Sequence, residues 1–406
     1  MKYHTCFLAF VIIHLWVNAS SAQILNGPSP ESEIDTTNYV LGTQTIGVKY
    51  QFTEKTTLVE TAERILAMGS NLLKFAMSER YKGKLYGLPP RDDIQSLTDL
   101  AHKEPSMKAV LDMPFAYYLI WVNTFAPVRW QDGFSKAERD ATYGEIKALA
   151  TYLLTTYQGT GKTFLLGHWE GDWLLHQGTD RTKDPTPEAI KGMIDWLNVR
   201  QEAIDDAKRE VPVDGISLYH YTEVNLVAKG MKGGKCLVND VLPHTTLDYV
   251  SYSSYDTTKP NKDNVREALQ KALDYIESKL PSKPGFQGKR VFIGEYGLPL
   301  AAAGTPEKQD EFARDVCLSA VEWGCPFVLY WELYCNEKIN GKHRGVWLID
   351  DTNLEQPFYH TLSNYYTGMK RAVAAFKVKH GRNPTNEELR KKAIAVLKSV
   401  SNEPSN

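Results

Sequence analysis

The chain reads as an α/β protein folded into a (β/α)8 TIM barrel. Eight short apolar runs alternate with helix-like stretches over roughly 300 residues. The runs are nearly continuous in apolar residues, as parallel strands covered on both faces by helices must be. An open doubly wound sheet would alternate in the same way, but no Gly-rich phosphate turn follows the first run.

Taken in order, Thr45 to Tyr50 predicts the first strand, and Thr57 to Met68 a helix stopped by Gly69. Asn71 to Ala76 is the second strand, and Asp93 to His102 a helix with Pro90 before it. Lys108 to Met113 is read as the third strand, followed by a long aromatic loop through Tyr117, Tyr118, Trp121, Phe125 and Trp130. Ser135 with Glu138 forms a capping box for a helix over Lys136 to Tyr157. Thr163 to His168 is the fourth strand, and Thr186 caps a helix running to Val211.

Gly215 to His220 is the fifth strand. The connection after it holds Gly230, Gly233, Gly234 and Cys236 and carries little helical signal. Leu247 to Tyr252 is the sixth strand, then an amphipathic helix spans Asn264 to Leu280. Arg290 to Gly294 is the seventh strand, and Thr305 caps a helix to Trp323, stopped by Gly324. Pro326 to Trp331 is the eighth strand, and Pro357 to Phe376 the closing helix. The tail, 377–406, is charged and contains a short helix over Asn386 to Lys392.

The first residues predict the compartment. Met1-Lys2 is positive, Phe7 to Val17 is apolar, and Asn18 to Ala22 are small or polar. That order is a secretory signal peptide, with cleavage after Ala22. Its apolar run is short for a membrane span. The organisation expected is therefore a signal peptide over 1–22, a barrel over 23–376 and a tail over 377–406. The mature protein is secreted or periplasmic, with no further span.

A net charge of -2 and a pI near 6.6 carry no nucleic-acid footprint. With 22 Tyr and 9 Trp, the chain has ample aromatic surface for stacking on sugars. Cys6 leaves with the signal. If Cys325 and Cys335 bound one extended segment, they stand ~33 Å apart and do not pair. Cys236 with Cys335, or four free thiols, are the alternatives. The histidines have no HExxH or paired spacing, so neither a metal nor a cofactor is expected. Gly159 to Thr163 precedes a strand and lacks the leading Gly of a phosphate loop.

In a barrel of this class the active site lies at the C-terminal ends of the strands. Glu170 follows strand four and Glu295 follows strand seven, on opposite sides of the mouth. Glycoside hydrolysis needs two such carboxyls across the scissile bond, and a separation of ~5–5.5 Å makes the reaction retaining. Glu295 is then the nucleophile and Glu170 the acid/base, kept protonated by Trp169, Trp173 and the charge of Glu295.

A Glu ending strand four, a Gly294-Glu295-Tyr296-Gly297 run ending strand seven and Trp331 ending strand eight resemble the clan A glycoside hydrolases. The resemblance covers roughly Gly42 to Phe376. It implies that Trp331 floors the sugar subsite and that Tyr252 or Tyr255 steadies the nucleophile. The clan usually has Asn before the acid/base; here it is Trp169. No Arg ends strand two, and Lys74 lies inside that strand. The family within the clan is not assignable.

Tyr221, His168 and Asp112, at the ends of strands five, four and three, complete the substrate-binding candidates, although alternation turns His168 away from Trp169. Asp172 is the rival acid, with a loop cap as its plainer role. Glu223 and Asp256 are read as surface or subsite residues, and Glu332 as pointing into the structure. Arg344 is read as a solvated loop residue. The expected activity is hydrolysis of an oligo- or polysaccharide. A transglycosidase or lyase, or a non-catalytic sugar-binding barrel, would use many of the same residues.

Overall fold

A computed structural model of the chain describes residues 34–258 and 265–400. The expected signal peptide, its cleavage site and Cys6 lie outside the described residues. Eight parallel strands close into a barrel in sequence order. They are β1 (Leu41–Gln44), β2 (Leu72–Met77), β3 (Tyr117–Val122) and β4 (Thr163–Gly167). Then come β5 (Ser217–Val224), β6 (Tyr249–Ser253), β7 (Val291–Tyr296) and β8 (Val328–Tyr330). Closure is β8 against β1, with Leu41 opposite Val328.

Helices follow the strands and bury their outer faces. The first half of the ring carries α1 (Thr57–Met68), α2 (Leu97–Lys103), α3 (Pro105–Asp112) and α4 (Lys136–Thr156). Next are α5 (Gly171–Leu175), α6 (Pro187–Glu210), α7 (Val227–Gly230) and α8 (Leu237–Asp240). The ring closes with α9 (Val265–Lys279), α10 (Leu300–Ala303), α11 (Pro306–Trp323) and α12 (Pro357–His380). A small hairpin, β9 (Lys338–Ile339) and β10 (Lys342–His343), follows β8. No helix among the described residues is long and apolar enough to cross a membrane.

Local signals set many helix ends. Thr186 and Thr305 accept from the N–H groups of Ala189 and Lys308, and the Ser135–Glu138 capping box is complete. Each such cap stabilises by about 1 kcal/mol. Gly324 closes α11 in the left-handed region that only glycine enters freely.

Three strands differ from expectation. Lys108 to Met113 is the end of helix α3, which starts with Glu104 capping Met107 and Pro105 in the first turn. Met107, Val110 and Leu111 are buried at helical spacing. The third strand is Tyr117–Val122, inside the stretch read as an aromatic loop. Its unbroken apolar run suits a strand buried on both faces. β1 lies a few residues before the expected Thr45 to Tyr50. β5 continues past His220 to Val224, which places Glu223 on the strand.

The tail is more regular than expected. Helix α13 (Asn386–Val400) buries Leu389, Ala393 and Leu397, a stripe of fourfold spacing, against α11 and α12. Cys236, Cys317, Cys325 and Cys335 are all free and buried. Cys236 begins α8 between β5 and β6, whereas Cys335 follows β8, so that pairing is not made.

Candidate active site

Four strand ends converge at the C-terminal mouth. After β4 the chain turns at Glu170 into α5. One Glu170 oxygen accepts from Trp173 Nε1 at 2.8 Å and the other from Ser253 Oγ at 2.7 Å. Ser253, on β6, is also the register partner of Glu295 on β7, so one side chain links the neighbourhoods of the two carboxyls. Glu295 is buried; its Oε1 lies 3.7 Å from Lys74 Nζ and accepts no hydrogen bond among the described residues.

Glu223, on β5, joins the two. Its Oε1 accepts the backbone N–H of Glu170 at 3.1 Å. Its Oε2 accepts from Lys74 Nζ at 3.0 Å and Ser251 Oγ at 2.7 Å. Lys74 also donates to Gly294 O at 2.9 Å and lies 4.2 Å over the Trp121 ring. Trp331 stands 6.2 Å from Trp121 on the same wall. Gly294 is required here, because a Cβ would sit 1.7 Å from Ser251 Oγ and 2.9 Å from Glu223 Oε2.

Burial raises Glu170 to about 7, with Glu223 adding to the rise and the Ser253 and Trp173 hydrogen bonds opposing it. Burial, then Glu223, then Glu170 push Glu295 up, and Lys74 opposes them. Glu223 thus acts on both carboxyls, raising each.

Of the residues expected in the site, the mouth brings together Glu170, Glu295, Trp169, Trp173, Tyr255 and Trp331. Trp169 is 40% exposed on the rim, as a stacking platform would be. Tyr255, half-buried in the turn Ser254–Asp256, feels the charges of Glu295 and Glu170 most.

Four candidates lie elsewhere. His168 faces the helix layer, with Nε2 2.7 Å from Thr222 Oγ1 and its ring against Trp196, because alternation along β4 points it outward. Tyr252 also points outward, its hydroxyl bonded to Asp256 and Thr257. Tyr221 points inward but is fully buried below Glu223, its ring packed over Gly167. Asp112 ends α3 ahead of β3, at the opposite end of the barrel, paired to Lys108 and Tyr157.

Several neighbours have structural partners, and Asp256, read as a surface or subsite residue, is buried. Asp172 accepts the N–H groups of Leu237, Asn225 and Leu226, fixing the loop after β5. Asp256 accepts the N–H of Ala228 at 2.6 Å. Glu332, after a cis Trp331–Glu332 peptide, points inward and accepts the N–H groups of Ile46 and Asn336. Arg344 pairs with Glu337 in the outer loop.

Sequence reading missed Lys74, Ser251 and Ser253, put Trp121 in a loop, and left Glu223 open between a surface and a subsite residue. The signal for Glu223 was present: continuing the alternation of β5 two residues past Tyr221 reaches it. Trp121 required the correct third strand.

No family model matches the chain, and no curated protein matches it. Solved structures do. A GH5_18 variant from Streptomyces cattleya in complex with Manb1-4GlcNAc aligns with TM-score 0.57 and 11% identity, over 89% of this chain and 90% of that one. GH5_18 from Bifidobacterium longum subsp. infantis aligns with TM-score 0.54 and 14% identity, over 81% and 78%. A family 39 glycoside hydrolase from the gut symbiont Bacteroides cellulosilyticus WH2 aligns with TM-score 0.50 and 14% identity. That last match covers 81% of this chain but only 63% of the relative. At such identities the likeness establishes the fold, the closed (β/α)8 barrel that these glycoside hydrolases have.

Proposed function

We propose that this chain is a glycoside hydrolase, with Glu295 as nucleophile and Glu170 as acid/base. The observation that carries the reading is two carboxyls, from β4 and β7, joined through Ser253 at one mouth, with Lys74 beside Glu295. Lys74 is ion-paired to Glu295. The ammonium favours negative charge on Glu295, opposing the burial and the neighbouring carboxylates that raise it. Glu170, at about 7, can then protonate the departing sugar oxygen.

A retaining course follows from these roles. The free Oε1 of Glu295 attacks the anomeric carbon and the bond to the leaving oxygen breaks, that oxygen taking the Glu170 proton. Glu170 then removes a proton from water as it displaces Glu295. Trp331 and Trp121 wall the subsite, and Trp169 and Trp173 extend it toward the rim.

The substrate class is an oligo- or polysaccharide, met outside the cell if residues 1–22 act as the export signal that their order of charge, apolar run and small residues resembles. A panel of aryl glycosides and β-linked disaccharides tests this. Manb1-4GlcNAc belongs in it, because the Streptomyces cattleya structure holds that disaccharide. Wild type should cleave at least one member with the first product keeping the substrate's anomeric configuration by NMR, and Glu295→Gln should not. Inversion would remove the nucleophile role, and so would a fully active Glu295→Gln. Longer products at high substrate would mark a transglycosidase instead.

A further inference from the structure

We infer that Glu223 is a positioning residue that couples the two catalytic carboxyls, holding the backbone of Glu170 with one oxygen and the cation of Glu295 with the other. This rests on the hydrolase reading of Glu170 and Glu295.

The geometry is specific. Three donors converge on the Glu223 carboxylate: Glu170 N–H, Lys74 Nζ and Ser251 Oγ. The residue is fully buried, and its carboxylate meets the mouth through these groups. Lys74 is equally buried and faces two carboxylates, 3.0 Å from Glu223 and 3.7 Å from Glu295. A buried ion pair is a poor stabiliser compared with apolar packing of the same shape. Its placement between the catalytic pair is what gives it a use. Glu223 draws Lys74 partly away from Glu295, and its own charge acts on both catalytic carboxyls.

Glu295 is faced by Lys74 from β2, Glu170 from the β4 turn, Glu223 and Tyr221 from β5, Tyr255 from the turn after β6 and Glu332 after β8. Glu170 is faced by Glu223, Lys74, Ser253, Trp173 and Tyr255. Removing the negative charge of Glu223 therefore lowers both catalytic pKa values, and removing the positive charge of Lys74 raises both. A merely structural role would shift neither.

The test is the pH dependence of kcat/KM for the full chain on the aryl glycoside it cleaves fastest. Glu223→Gln should move the whole bell acidward by about one pH unit, and Lys74→Met should move it alkaline by a similar amount. The double variant, with both charges removed, should lie near wild type. Bells that stay put, or move in the same direction, overturn the proposal.

Should the single variants fail to fold, Glu223→Asp keeps the charge but shortens the reach. It should lower kcat about tenfold or more at nearly unchanged KM, with Lys74→Arg milder. An unchanged kcat overturns the proposal. A substrate-free measurement separates the two readings: carboxyl 13C NMR titration, with the two resonances assigned from Glu170→Gln and Glu295→Gln. Displaced titrations in Glu223→Gln and Lys74→Met support the coupling even if no glycoside is cleaved. A fully active Glu295→Gln removes the nucleophile role of Glu295 alone.

Discussion

The barrel buries a lysine at each end, and the two are answered differently. Lys162, at the start of β4, donates to Leu111 O at 2.5 Å and Met113 O at 2.8 Å. Its ammonium lies 4.9 Å from the rings of Tyr118 and Tyr157. Burial lowers it to about 8, with Asp112 opposing. It closes the C-terminal carbonyls of α3, where a cation is favourable. Lys74, at the other end, stands between two buried carboxylates with a third nearby. The Lys162 ammonium is thus answered by carbonyl dipoles and aromatic rings. Among the described residues, the mouth gathers Glu170, Glu223 and Glu295 around Lys74. Such concentration of perturbed groups marks sites of chemistry rather than sites of stability.

The largest expected effect tests the mouth directly. Glu295→Gln should lower kcat by roughly 10^4-fold or more with the fold intact, measured by initial rates and circular dichroism. Glu170→Gln should cost about 10^2–10^4-fold, less on substrates with activated leaving groups. Wild-type activity should fall as pH rises through about 7, where Glu170 loses its proton.

Glu170 also carries a stability signature of definite sign. Its folded value, about 7, lies above the ordinary 4.5, so the folded state holds the proton more tightly. Wild-type stability is favoured below 4.5 and declines as pH rises through about 7, by up to about 3 kcal/mol. Glu170→Gln lacks this decline. Urea melts at about pH 4 and pH 8 should give a difference between variant and wild type that grows with pH; a constant difference would refute the raised value.

The lower end should respond in the opposite currency. Lys162→Met leaves the Leu111 and Met113 carbonyls without their donor and should destabilise by about 1–3 kcal/mol in denaturant melts. Its kcat/KM should equal wild type. Smallest of all, Asp112→Asn alters an exposed ion pair and should change stability by under about 1 kcal/mol, with KM unmoved. A KM change there would restore Asp112 to the substrate.

Legibility along the chain followed how local each signal is. Helix ends set by Ser135, Thr186, Thr305 and Gly324 came through because a cap involves only a few neighbouring residues. The third strand did not, because Lys108 to Met113 and Tyr117 to Val122 are both short apolar runs. Periodicity alone separates such runs poorly, and Glu104 with Pro105 was the overlooked helix start. That one displacement carried Asp112 to the wrong end of the barrel and hid Trp121. The catalytic candidates themselves were legible, since Glu170 and Glu295 follow strand ends placed nearly correctly.

The amino-acid order by itself determined the alternation that closes into eight strands, and it set a Glu after β4 and a Glu next to the end of β7. Those are consequences of hydrophobic period and chain position. Tertiary structure decided which side chains share the mouth. Tyr252 and Ser253 are neighbours in sequence, yet only Ser253 reaches Glu170, because successive residues of a strand face opposite sides. The meeting of Lys74, Glu223 and Glu295 depends on closing the ring. Those residues are far apart along the chain, and no local pattern records a contact made only when their strands are brought into one register.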